Sequence, residues 1–583
     1  MSVSFRRMVT SIALLAIAAL IAVGCGSSGG GSGTKKLATA QNLVVNIGDE
    51  TEAGLFDPPK SSYLDTVNRN NALFANLYRY DAAGTKLVPY LATDVPNVSD
   101  DGLTYTVKLR EDAKWSDGKP LVADDLVFGV QHALDPATAS YFASFMLDIV
   151  GACEYNSAGK DVAKKCAAHK GAAGFTDAKP ASIGVVATDD HTVEFKLNRV
   201  VPWFDQLMTL QTFVPLRRDV VEKFGAKWTD VGNIVTNGPF KLDSYKPKSE
   251  IVVVKDNNFW GADNVKLDKI TFRMIGEPKT AYQEFKRKRI DMAFTRTSIT
   301  PADIDSIKTQ DFYVSKPSIE TQYMYMNTTN PALSDPKVRQ ALALAIDRPS
   351  LIKNITKRGD KPMNTVVPSG LPGYDVFSEG SQDFIGADQA PDIQKAKDLL
   401  DAGGWDSSKT LNLVFSSDSG SAPQIAEQIQ SDLGKIGVKV KLAPASGDVI
   451  SSPGYGISPV KSSVDLILQG WVQDYVDAQD WYQLFTCANV DNGLNAANFC
   501  DKNYDKIYDE ALTTVDANKR YDVYKRLEAE LTGPDGQMPV APIYQPTNDT
   551  IVATYVKQDG RKYELTPAGL MYWDDISITA DKK

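Results

Sequence analysis

The chain is predicted to be an α/β protein, and three observations carry that expectation. Pro423–Lys435 has helical periodicity, ends at Ile436-Gly437 and passes straight into a β-run at Val438–Leu442. A further β-run follows at Val464–Leu468. Helix, glycine and strand in that succession build α/β units. The composition is ordinary for a globular protein, and 583 residues imply several domains or one domain with large insertions.

The N-terminal stretch stands apart. Arg6 and Arg7 precede an unbroken apolar run, Ile12–Val23, and then come Gly24 and Cys25. The run is too short to span a bilayer and fits the apolar core of a secretory signal, so residues 1–24 are expected to be removed. No second long apolar run follows, and the mature chain is expected to be soluble. A-V-G-C, ending at Cys25, resembles the bacterial lipoprotein processing box, with Ala22 where that pattern usually has leucine. The resemblance implies a lipid on Cys25 and anchoring to the outer face of the cytoplasmic membrane. Ordinary cleavage, leaving an odd thiol, is the alternative. Residues 25–40, opened by G-S-S-G-G-G-S-G-T, read as a flexible tether. The match of Gly24–Gly29 to G-x-G-x-x-G lacks the strand and helix that a dinucleotide site needs, and signal cleavage would cut it.

Beyond the tether the elements follow in order. Leu43–Ile47 is the first strand, followed by the turn-rich Gly48–Lys60 and the apolar, aromatic Asn71–Tyr80. Thr104–Leu109 alternates as a half-buried strand, and Ala123–Leu134 is a helix ended by Asp135-Pro136. His132 on that helix reads as a surface or packing residue. Ala152–Lys179 looks like an insertion loop, and Thr192–Leu197 and Ile251–Lys255 are strands. Pro336–Ala345 is a helix with Ser334-Asp335 at its cap and proline in its first turn. Ile393–Ala402 and Lys519–Leu531 are further helices.

Apart from Cys25 the cysteines form two local pairs, Cys153 with Cys166 and Cys487 with Cys500. In an exported protein such pairs suggest two short disulfide loops, each contributing about 3 kcal/mol if unstrained. No C-x-x-C occurs and the only histidines are His132, His169 and His191, which argues against a metal site. The net charge of −10 argues against a nucleic-acid partner.

Val464–Trp481 draws the most attention. Leu466, Ile467 and Leu468 form an apolar strand that is expected to stop at Gly470. Trp471, Asp474 and Tyr475 come directly after it, followed by Asp477 and Asp480. An indole and a carboxylate at a strand end suit a ligand mouth that holds a cationic group. Equally, Trp471 can be core and Asp474 a helix cap.

Asp101–Asp125, D-G-L-T-Y-T-V-K-L-R-E-D-A-K-W-S-D-G-K-P-L-V-A-D-D, strongly resembles the signature of the family 5 extracellular solute-binding proteins. These are the oligopeptide-, dipeptide- and nickel-binding components of ATP-driven importers. Leu77–Asp81, Val235–Leu242, Ser334–Arg348 and Gln469–Tyr475 (Q-G-W-V-Q-D-Y) resemble further family segments in the family's order. The resemblance implies a two-lobed receptor of the periplasmic-binding-protein type, with an extra domain and a hinge between the lobes. It divides the chain into lobe I (41–76, 213–319 and 546–583), an extra domain II (77–212) and lobe III (320–545). Family peptide receptors face G-W-x-x-D into the cleft and pair its aspartate with the peptide ammonium. By that pattern Gly470, Trp471 and Asp474, with the adjoining Tyr475, are expected at the ligand. Glu50, Thr51 and Tyr323 are weaker expectations, with core packing the alternative for Tyr323. Two departures from the family pattern, Phe56 and Arg289, touch none of these positions.

The expected role is a monomeric lipoprotein that captures peptides and hands them to the permease and ATPase subunits of an ABC importer, without cofactor or metal. The same fold could instead take a nickel chelate, an oligosaccharide or a siderophore. Scarce histidine argues against direct nickel ligation, while Trp471, Trp481 and Tyr482 offer aromatic platforms for a sugar. An enzyme is the remaining class. H-E-x-x-H and the phosphate-binding G-x-x-x-x-G-K-[ST] loop are absent, and the G-x-S-x-G match at Gly26–Gly30 lies in the tether.

Overall fold

The computed structural model describes residues 36–582 apart from 49–55, 62, 158–161, 163–165, 167–178, 294–298, 419, 448–449, 451–463 and 491–492. Two large mixed sheets organise it. The first has seven strands in the spatial order Tyr313–Pro317, Thr547–Val552, Met292–Ala293, Asn42–Asn46, Lys269–Arg273, Glu250–Lys255 and Phe240–Lys246. The second has six: Lys361–Pro362, Val540–Gln545, Glu320–Met326, Leu466–Val472, Thr410–Ser416 and Lys439–Ala445. A separate four-stranded sheet, Asn97–Val98, Thr104–Lys108, Thr192–Lys196 and Val185–Asp189, is inserted between the parts of the first.

The helix Ala422–Lys435 joins the parallel strands Thr410–Ser416 and Lys439–Ala445, the α/β unit expected from the sequence. Ile425, Ala426, Ile429 and Leu433 are its buried stripe against the sheet. The helices Ala123–Leu134, Pro336–Ala345 and Ile393–Ala402 lie where their local signals put them. At Asp335 the expected cap is made, the side chain accepting from the Lys337 amide at 2.8 Å.

The family signature turns out to be structural. Trp115 is fully buried and its indole N–H donates to Asp125 at 2.9 Å. Asp101 accepts from the Leu103 amide beside Gly102, whose φ of +70° suits glycine. Arg339 and Arg348 of the Ser334–Arg348 block are buried and hold backbone carbonyls, those of Leu333 and Pro542 among them.

Three expectations are corrected. The strand of the Val464–Trp481 stretch does not stop at Gly470 but runs Leu466–Val472, because Glu320–Gln322 of the neighbouring strand pairs it to the end. The supposed loop Ala152–Lys179 opens with a short helix, Ala152–Asn156; most of the rest lies outside the described residues. A helix that was not expected, Leu64–Leu73, precedes the first apolar segment of the extra sheet's region. Most of its buried face is polar: Asn68 donates to the Gly569 carbonyl at 2.9 Å and accepts from the Met571 amide at 2.8 Å.

Cys153 is paired with Cys166 and Cys487 with Cys500. His132 faces Asp57, with Nε2 at 3.0 Å, and packs edge-on against Trp228. Among the described residues no helix is long and apolar enough to cross a membrane.

The chain passes between the two large sheets twice, once between Pro317 and Glu320 and once at Pro546. The crossings lie side by side. The Ser318 amide donates to the Pro546 carbonyl at 2.9 Å, and the Gln545 side chain donates to the Ser318 carbonyl at 2.7 Å.

Candidate functional site

A cavity of about 570 Å³ opens where the two large sheets and the inserted domain meet. That volume lies within the range of small-ligand sites. Each part supplies one wall. Ile47, Tyr63, Leu64 and Asp65 come with the first strand and the Leu64–Leu73 helix, and Asn548 and Asp549 come from beside the second crossing. Tyr80, Phe142 and Gln211 belong to the inserted segment, and Glu320, Val472, Gln473 and Asp474 to the six-stranded sheet.

Three aspartates follow the Leu466–Val472 strand in three different environments. Asp477 is buried and paired, accepting from Arg520 at 3.1 Å, from the Tyr524 hydroxyl and from the Gln479 amide at 2.9 Å. Asp480 is fully buried and accepts from the Asp474 amide at 2.8 Å, the Trp471 indole at 3.3 Å and Gln483 at 3.2 Å. Desolvation, with the charge of Asp474 beside it, holds its carboxyl well above the usual range. Asp474 lines the cavity, and desolvation raises its carboxyl too. Among the described residues no Lys, Arg or His lies within ion-pair distance of it, although its neighbour Asp477 has Arg520. A carboxylate so placed is stabilised by any cation brought into the cavity.

The other expected residues are not gathered there. The strand's alternation turns Trp471 away from the 570 Å³ cavity; half-buried, it packs on the cluster containing Trp481 and Tyr482 and ties down Asp480. Gly470 borders a separate cavity of about 210 Å³ with Ser416 and Ser421. Glycine is required there, since a Cβ would stand 2.5 Å from the Thr321 carbonyl oxygen. Tyr323 also touches that smaller cavity, but it is buried and its hydroxyl donates to the Val366 carbonyl, which is core packing. Tyr475 is buried against the inserted domain, its ring 5.4 Å from that of Phe145, and its hydroxyl donates to Gln479. Glu50, Thr51 and Cys25 lie outside the described residues.

Sequence reasoning missed Gln473, Glu320, Asp65 and Gln211 in the cavity wall. Adjacency to Asp474 could have found Gln473. Nothing local marks Asp65 or Gln211, which the fold brings in from distant segments.

The model of the "Bacterial extracellular solute-binding proteins, family 5 Middle" matches residues 86–492. The periplasmic murein peptide-binding protein MppA of Escherichia coli K12 is 30% identical over 89% of this chain and 90% of its own length. The oligopeptide-binding protein OppA of Bacillus subtilis 168 is 28% identical over 95% and 96%. Among solved structures, Listeria monocytogenes OppA bound to peptide superposes with a TM-score of 0.68 at 26% identity, covering 93% of this chain and 100% of that one.

Proposed function

This chain belongs to the bacterial extracellular solute-binding proteins of family 5, and on that footing we propose that it captures peptides in the 570 Å³ cavity and delivers them to the permease of an ABC importer. It acts outside the cytoplasm as a binding protein and does no chemistry on its solute. The transport energy comes from the partner ATPase. The observation that carries the reading is Asp474: a carboxylate in a cavity wall with no cation of its own among the described residues. In the bound state the peptide's α-ammonium supplies that charge.

Lobe I is assigned to 41–76, 213–319 and 546–583, domain II to 77–212 and lobe III to 320–545, because each sheet draws its strands from one of these sets. The lobes close about the paired crossings at 318 and 546, and the ligand favours the closed form by contacts it makes to both walls at once. Trp471 contributes indirectly, by fixing Asp480 and through it the Asp474 backbone. A lipid on Cys25 holds the protein at the membrane, with residues 26–40 as the tether. The two cysteine pairs are oxidised in that compartment.

Titration calorimetry with a free-amine peptide and its N-acetylated form tests the site. The acetylated peptide should bind poorly, and Asp474→Ala should weaken the free-amine peptide by about 3 kcal/mol or more. Equal affinity for the two peptides would remove the role given to Asp474.

A further inference from the structure

Resting on the peptide-binding reading above, we infer that this receptor selects peptides whose first residue carries a large apolar side chain, aromatic above aliphatic. Tyr141, Val472 and Tyr63 form the surface that selects it. A gathering of exposed apolar side chains and the short reach of one Cα atom point there.

Large apolar side chains standing in solvent are ordinary when scattered, but a cluster of them beside a ligand cavity marks a contact surface. Such a cluster surrounds Asp474. Val472, two residues before it at the end of the Leu466–Val472 strand, lines the cavity and is 49% exposed. Tyr63, just before the Leu64–Leu73 helix, lines it too and is 53% exposed. Tyr141 is 60% exposed and adjoins the lining Phe142, the two rings edge-on at 5.0 Å. Although much of Tyr141 is open to solvent, desolvation and then the charges of Asp474 and Tyr63 hold its hydroxyl above the usual range, so its phenol stands near both.

Tyr141 is also held in place. The Ser140 hydroxyl donates to the Pro59 carbonyl at 2.6 Å, which pins the start of the short helix Tyr141–Met146. Phe142 and Phe145 of that helix stack at 5.8 Å, and Phe145 meets Tyr475 at 5.4 Å. This row of rings is built in at its Tyr475 end and leaves Tyr141 at the other, open to a ligand. A surface ordered in advance costs the ligand little on binding.

The α-ammonium and the first side chain of a peptide hang on the same Cα atom. Once the ammonium pairs with Asp474, the first side chain must lie close to that carboxylate, among Val472, Phe142 and the two tyrosines. Nearby acids make no rival demand on it: Glu320 accepts from the Gln322 side chain at 3.0 Å, and Asp549 from Arg358 at 2.8 Å. The three rings favour an aromatic guest, which they can meet edge to face.

The test titrates free-amine peptides of one length into the mature protein starting at Gly26. Three begin with Phe, Leu or Gly, and a fourth carries Phe in second place behind Gly. The Phe-first peptide should bind about tenfold tighter than the Gly-first peptide, with the Leu-first peptide between them. Moving Phe to second place should lose most of that gain. Tyr141→Ala, a change at an exposed side chain, should cut the ratio of Phe-first to Gly-first affinity to about threefold or less. Equal affinity of these two peptides for the unaltered protein would overturn the selection and leave peptide capture standing. Phe binding as tightly in second place as in first would overturn the assignment to the first residue, and an unaltered ratio in Tyr141→Ala would overturn the surface. Failure of every peptide to bind would instead overturn the peptide reading itself, and the selection with it.

Discussion

Asp474 and Asp480 sit six residues apart and are joined by a backbone hydrogen bond, yet only one faces the cavity. The buried one is a fixture: it orders the turn after the strand, accepting from the Asp474 amide and the Trp471 indole. The other keeps its valence for the ligand. In the ligand-free protein, desolvation holds the Asp474 carboxyl up to about 7, against about 3.9 for a free aspartate. A carboxyl raised on folding adds stability below its unfolded value and loses it as pH climbs through the raised one. The empty protein should therefore lose stability between about pH 4 and about pH 7 on this account, and Asp474→Asn should flatten that part of the melting profile. An ammonium reverses the preference, because it favours the ionised carboxylate. Binding near pH 6 should then release a proton and tighten as pH rises. Calorimetry in buffers of different ionisation heat reads that proton, and heats independent of the buffer would contradict the assignment.

At the scale of elements, the strand Leu466–Val472 holds the site in place through its pairing with Glu320–Met326. Gly470 lets the two strands meet: a Cβ there would come within 2.5 Å of the Thr321 carbonyl oxygen and 2.3 Å of the Gln322 amide nitrogen. Gly470→Ala should destabilise the protein by about 1–3 kcal/mol in chemical denaturation and weaken peptide binding along with it; unchanged stability would show that the pairing relaxes freely. How much of this was legible depends on how local each signal is. Pro336, Asp335 and Pro136 mark helix ends within a few residues, so those helices were read to their boundaries. The Leu64–Leu73 helix was missed because four of its six buried residues, Thr66, Asn68, Arg69 and Asn70, are polar, and a mostly polar buried face leaves no apolar stripe to read. The strand's last residues were missed because their partners lie about 150 positions away. G-W-x-x-D put both Trp471 and Asp474 at the ligand and adjacency added Tyr475, but only Asp474 lines the 570 Å³ cavity. Strand alternation and the seam with Phe145 turned the other two elsewhere.

For the whole molecule, the proposed closure would draw on contacts that never touch the solute. Tyr475 is counted with the apolar core of the inserted domain although it belongs to the chain of the six-stranded sheet. Tyr475→Ala should cost about 3 kcal/mol of packing, much of it from the closed form. Apparent peptide affinity should fall by about tenfold through the smaller closed population. The ligand-free protein should have a larger radius of gyration by small-angle scattering, and an unchanged radius with unchanged affinity would rule out this seam as part of the closing surface.

The two crossings, bonded to each other through Ser318, Gln545 and Pro546, would act in the proposed closure as a leaf spring. Displacement on bending grows with distance from that spring. Gln473 is bonded to Ile319 at 3.1 Å, so Asp474 follows directly on the first crossing. In the closure proposed above, Asp474 would therefore move little and stand ready before the lobes meet.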